Sequence, residues 1–167
     1  MPVYLVSFVN VDHAAAMRVG TVASAFNVAF IAIPAWVSDK VGRKPVLIAG
    51  CIGFLLLSCP FYVLLSSRSM VSMLVAAVGF VVLAACFMGP AMTAALEHFS
   101  TTVPFSGFAF GYNVGSGLFG GTTPLVAGWL IHATGSLISP SYYIMAASAI
   151  FLGLCFRLRE TRGVEVR

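Results

Sequence analysis

Ser38-Asp39-Lys40-Val41-Gly42-Arg43-Lys44 stands between two long uncharged stretches, and its reading decides the fold. Only 8% of the 167 residues are charged, so four charged side chains and a glycine crowded into one short turn mark a membrane boundary. Composition agrees: 60% of residues are hydrophobic and the mean hydropathy is +1.01, well outside the range of soluble domains. Outward from the loop, charge-free runs cover residues 19–38, 45–67, 69–96 and 99–156. A helix needs about 20 residues to cross a hydrocarbon core of roughly 30 Å, so the first three runs hold one span each. The fourth is too long for one, and His132-Ala133-Thr134-Gly135-Ser136, followed by Ser139-Pro140-Ser141, marks a turn within it. The sequence therefore predicts an all-α integral membrane protein, a single transmembrane domain over residues 1–167. Its five complete spans lie near 18–37, 46–66, 70–95, 106–131 and 141–157, after an N-terminal stub. Helices are preferred over a barrel because the runs lack period-2 alternation and far exceed a barrel strand in length.

Orientation follows from Lys and Arg, which are enriched in cytoplasmic loops. Lys40, Arg43 and Lys44 share one side with Arg157, Arg159, Arg162 and Arg167, while Arg18 and Arg68 fall on the other. This places the first loop and the C-terminal tail in the cytoplasm and the N-terminus outside, in a multi-pass protein of the cytoplasmic membrane. The net charge of +4 is thus a topological signal. With no basic, aromatic-interleaved patch in a soluble segment, nucleic-acid binding is not expected.

Residues 1–9 form an apolar stub too short to span and without a basic residue ahead of it, so it is not a signal peptide. The expectation is a fragment whose preceding helix has been cut away. Cys51, Cys59, Cys86 and Cys155 all fall within predicted spans, with no metal or disulfide spacing. His13 and His132 are expected at the outer membrane edge and His98 at the inner one, each alone. Gly115-Ser116-Gly117-Leu118-Phe119-Gly120 fits the dinucleotide-binding pattern GxGxxG, but no strand precedes it and the segment lies inside a span. No nucleophile–base or acid pair is visible, so an enzyme is not expected, and neither is a metal or organic cofactor.

The fourth span carries most of the remaining information. Gly107, Gly111 and Gly115 recur every four residues, and Gly117 and Gly121 repeat the spacing, an interval that lets helix backbones approach closely in lipid. In Gly120-Gly121-Thr122-Thr123-Pro124, flexible residues precede a proline that removes a backbone donor. A broken helix in lipid is tolerated mainly where it is buried or lines a cavity, which makes this segment the candidate hinge. The candidate cavity-lining residues are the few polar ones within spans: Asn27, Tyr112, Asn113, Ser116, Thr122 and Thr123. Such groups either line a wet cavity or hydrogen-bond helix to helix. No Asp, Glu, Lys or Arg lies deep in any span, although proton-coupled transport needs a buried ionisable group.

Residues 35–44 resemble the loop motif of the major facilitator superfamily: Gly, three residues, Asp, a basic residue, any residue, Gly, then two basic residues. Asp39, Lys40, Gly42, Arg43 and Lys44 match, and Ala35 stands where the family has glycine. Asp39 is expected to end one helix, Gly42 to permit a tight reversal, and Arg43 and Lys44 to stay in water. The resemblance implies a cytoplasmic latch on the conformational cycle. Ser106-Gly107, Gly111-Tyr112-Asn113, residues 119–125 and Trp129-Leu130-Ile131 resemble the eleventh span of the metabolite:proton symporters within that superfamily. Gly135 through Tyr143 and Glu160-Thr161 are similar to the same family. At 97–106 the family carries arginine, and this chain has Thr102, Val103 and Pro104 instead.

What the resemblance implies is the C-terminal half of a twelve-span secondary transporter, from the end of the seventh span onward. It would move a small organic acid, betaine or similar metabolite with a proton as coupling ion. The coupling residues would belong to the missing N-terminal half, the chain's partner beside the lipid bilayer. Two alternatives stand beside it. One is a truncated, non-transporting membrane module. The other is a sugar-transporter-like member of the superfamily, whose closing motif Arg159-Glu160-Thr161-Arg162-Gly163 resembles apart from Arg159 in place of proline.

Overall fold

A computed structural model of the chain describes residues 2–98 and 105–157. Residues 99–104 of the arginine-poor loop, the closing motif 159–163, Arg167 and the side chain of His98 lie outside the described residues. The described residues are helical apart from short connections: α1 (Pro2–Ser7), α2 (His13–Phe30), α3 (Ala32–Val41), α4 (Arg43–Ser66), α5 (Met70–His98), α6 (Phe105–Gly115), a π-helical turn (Ser116–Gly120), α7 (Gly121–Thr134) and α8 (Pro140–Arg157). In lipid no water is at hand to satisfy exposed backbone groups, and a helix satisfies them within itself.

Four continuous stretches are long and apolar enough to cross a membrane: His13–Val41, Arg43–Ser66, Met70–Met92 and Ala109–Thr134. The fifth expected span forms α8, 18 residues long, but its polar opening Pro140-Ser141-Tyr142-Tyr143 and closing Arg157 leave it outside that group. The first span is longer than expected and is built from two helices. Asp12 caps α2, its carboxylate accepting from the amides of Ala14 (3.0 Å) and Ala15 (3.3 Å). The break at Ile31 falls three residues before Pro34, which has no amide hydrogen and whose ring crowds the carbonyl of Phe30.

Neighbours in space run α2, α5, α4, α8, α7, with the α4–α5 pair at the centre. That pair is close because of glycine. A Cβ on Gly79 would strike the Phe61 ring, and one on Gly53 would lie 2.5 Å from Leu83 Cδ2. Small residues at such crossings provide the backbone proximity that drives association in lipid. Two apolar clusters fix the ends of the bundle. Leu5, Val19, Leu65, Met73 and Ala76 pack α1, α2, α4 and α5 together, and Leu47, Cys51 and Cys155 join α4 to α8 at the end near the basic loop.

Asp39 does not end a helix. It sits inside the last turn of α3, and Gly42 alone terminates it, with φ 117° and ψ 154°. That backbone region is open essentially to glycine only, at a cost of about 1–3 kcal/mol for other residues. Gly42→Ala is therefore expected to lower the thermal unfolding midpoint of the detergent-purified protein by about 2–10 °C. An unchanged midpoint would mean that the α3–α4 reversal can be made another way.

Candidate functional site

Two regions stand out along α4, the basic loop at its start and a set of cavities along its length. The Arg43 guanidinium donates to the Asp39 carboxylate across the Gly42 turn, and Nη1 also donates to Ser38 Oγ at 3.2 Å. Ser38 is fully buried, and its hydroxyl donates to the Ala35 carbonyl at 2.7 Å. The Arg43 side chain keeps only 16% of its exposure against 59% for Asp39, so Arg43 does not stay in water as expected but is covered by protein. Lys44 stays at an exposed site, where its Nζ donates to the Phe156 carbonyl at 3.0 Å, in the last turn of α8, where the helix dipole favours a cation. Lys40 Nζ lies 3.7 Å from the centroid of the Trp36 ring, a cation–π contact. Arg43 therefore ties α4 to α3, and Lys44 ties it to α8, at one end of the bundle.

The second region is a set of cavities between the α4–α5 pair and the helices around it. One of about 230 Å³ is lined by Tyr4, Phe8, Tyr62, Phe80, Thr123 and Pro124 together with small and aliphatic side chains. Another, of about 330 Å³, adds Phe54, Phe87 and Tyr143 and again includes Thr123. The largest, about 680 Å³, runs along α2 past Gly20, Thr21 and Ser24 to Phe54 and Phe80. The α6–α7 helix leans mainly on α8, and the two smaller spaces separate it from the α4–α5 pair.

Of the expected cavity-lining residues, only Thr123 lines these spaces, with the hinge residue Pro124 beside it. Asn27 is half-buried on α2. Tyr112, Asn113, Ser116 and Thr122 lie exposed on α6, the π turn and the start of α7. Asn113 Nδ2 donates to the Ala109 carbonyl at 2.8 Å, and the Thr122 and Thr123 hydroxyls donate to the carbonyls of Leu118 and Phe119. These polar groups thus bond back onto their own helix, a third outcome beside the two expected. The glycine stripe also differs from expectation. A Cβ added to Gly111, Gly115, Gly117 or Gly121 would meet nothing within 4 Å, so no described helix of this chain uses that close-packing face.

The expected break is present, one step earlier than Pro124 itself. Residues Ser116–Gly120 adopt a π turn, and α7 then runs through Pro124. Proline offers no amide hydrogen to the carbonyl four residues before it, and the wider turn with the two threonine hydroxyls absorbs the mismatch. The residues that sequence reasoning missed are the rings, Tyr4, Phe8, Phe54, Tyr62, Phe80 and Phe87. Their signal was the seven-residue spacing of Phe80 and Phe87 and the matching pair Phe54 and Phe61, which put rings on facing stripes of α5 and α4. Pro124→Ala restores a donor, and amide exchange across residues 116–120 is expected to slow about five- to tenfold, the effect of one added hydrogen bond of about 1 kcal/mol. Unchanged exchange would mean that the π turn does not depend on Pro124.

The sequence profile of the Major Facilitator Superfamily matches residues 1–166. The chain is 33% identical over 153 residues to the ectoine/proline transporter ProP of Corynebacterium glutamicum, covering 90% of this chain and 30% of that one. It is similar at 31% identity to the proline/betaine transporter of Salmonella typhimurium, over 74% of this chain and 25% of the relative. A putative proline/betaine transporter of Staphylococcus haemolyticus is 30% identical, over 90% and 32%. The chain thus spans about a third or less of the length of these curated relatives. No solved structure matches it.

Proposed function

We propose, from the premise that this chain belongs to the Major Facilitator Superfamily, that it is the C-terminal part of a proton-coupled symporter for a small zwitterion. The observation that carries this reading is the unpartnered glycine face of the α6 and π-turn segment, a surface built for close helix contact that no described helix of the chain occupies. Such a face fits a half-bundle that meets another half across a substrate path. The relatives bear the names of proline, betaine and ectoine. Proline and betaine are zwitterions, which favours this class over a sugar. The basic loop and the C-terminal end are assigned to the cytoplasm, because that side collects most of the Lys and Arg. Among the described side chains the carboxylates are Asp12 and Asp39, both exposed near helix ends, so the proton-carrying group is assigned to the rest of the transporter.

In this reading Asp39 and Arg43 are a latch. Their ion pair spans the α3–α4 reversal, and Lys44 extends it to α8, so the cytoplasmic end of the half-bundle is held in one arrangement and released in the other. The full-length protein in proteoliposomes is expected to take up labelled proline or glycine betaine under an imposed proton gradient, and an uncoupler should abolish the uptake. Asp39→Asn is expected to leave folding within about 1 kcal/mol, as for an exposed partner of an ion pair, yet to cut uptake at least tenfold at equal amounts in the membrane. Normal uptake by that variant would reduce the loop to a topological marker.

A further inference from the structure

We infer that Gly89 on α5 is a positioning residue for the Asp39–Arg43 latch, an inference that deepens the latch reading above and rests on it. The helix that carries Asp39, α3, has only 10 residues and is set off from α2 by the break at Ile31, so contacts with its neighbours must fix where it stands. One of these contacts is unusually close. A Cβ added to Gly89 would lie 3.3 Å from both the Cβ and the amide nitrogen of Ala35 and 3.4 Å from the Ile31 carbonyl oxygen. Two of those three atoms are backbone, which no rotamer change can move aside, so α3 rests directly on the main chain of α5 at this point. Ala35 stands where the loop motif has glycine. Here the room for close approach comes from the facing helix instead.

A short chain of hydrogen bonds leads from this seat to the latch. The Ala35 carbonyl accepts from Ser38 Oγ at 2.7 Å. Ser38 Oγ in turn accepts from Arg43 Nη1 at 3.2 Å, and that same nitrogen donates to the Asp39 carboxylate. Ser38 is 1% exposed, so its two bonds run through protein, where each is electrostatically stronger than in water. On the other side of Gly42, the neighbouring Lys44 holds the start of α4 to the end of α8, so α3 is the part free to be displaced. Adding a methyl group at Gly89 would force α3 to give by a few tenths of an ångström. Ser38 and Asp39 lie within one turn of Ala35 and move with it, which shifts both acceptors of Arg43 at once. The distance between α3 and α5 thus sets how well the ion pair closes, and Gly89 keeps that distance short.

The test uses the full-length transporter in proteoliposomes, with uptake of labelled proline and glycine betaine measured per amount of folded protein in the membrane. Gly89→Ala is expected to cut uptake about threefold, and Gly89→Val at least about tenfold, following the added bulk. Ala35→Gly placed in the Gly89→Ala protein removes the opposing methyl group and should bring uptake back to within about twofold of wild type. In the Asp39→Asn protein, Gly89→Ala should lower uptake by less than about 1.5-fold further, because residues acting through one interaction are not additive. A packing role independent of the latch would give the full threefold loss there as well. That result, or a failure of Ala35→Gly to rescue, overturns the positioning role and leaves the latch standing. Normal uptake by Asp39→Asn alone overturns the latch and its seat together, with the transporter reading intact. A wild-type protein that takes up neither substrate overturns all three.

Discussion

Backbone hydrogen bonding in a solvent without water is the constraint on which the rest of this structure depends. It makes every crossing stretch a helix and leaves polar side chains to find partners nearby. Ser58, Ser66, Thr122 and Thr123 each donate to a carbonyl three or four residues back. The same constraint makes proline informative. At Pro34 the chain divides one span into α2 and α3, and ahead of Pro124 it opens into a π turn. Both breaks are local, and the path of the chain continues helical on either side.

Packing then divides the bundle into a tight part and a loose part. Between α4 and α5, glycines and rings interlock with almost no room for a further carbon. Toward α7 the same α4–α5 face is met by open space, lined with Phe54, Tyr62, Phe80 and Phe87. A rigid pair beside a loosely held, broken helix is the arrangement expected where one element shifts against another, because a packed core has discrete arrangements and does not deform continuously. At the other end of α4, the loop residues Asp39, Arg43 and Lys44 bind three helix ends through charge and carbonyl contacts.

The class of protein, its helical character and a disturbance ahead of Pro124 were legible in the sequence, since charge-free length and proline act through the chain itself. The motif residues of the loop were legible as a set, but their surroundings were not. The reach of Lys44 to Phe156 depends on how α8 returns beside α4, a contact 112 residues away in sequence. The candidate site was read from polarity, which named Asn113 and Thr122. In a helix those groups bond to their own backbone as readily as to a ligand, so polarity alone could not separate the two. The rings around the cavity were passed over because aromatic residues are common in any apolar span, and only the crossing of α1, α4 and α5 gathers Tyr4, Tyr62 and Phe80.

A π turn takes up one residue more than an α-helical turn over a similar rise, so the segments on either side keep the phase of a helix one residue shorter. The turn at Ser116–Gly120 is therefore a softness added to the α6–α7 rod without rotating its two faces relative to each other. The glycine face on one side and the wall formed by Thr123 and Pro124 on the other point where an unbroken, shorter helix would have pointed them. Sequence length at this place carries structural information: a single extra residue is taken up within one exposed turn, and the helix resumes on either side of it.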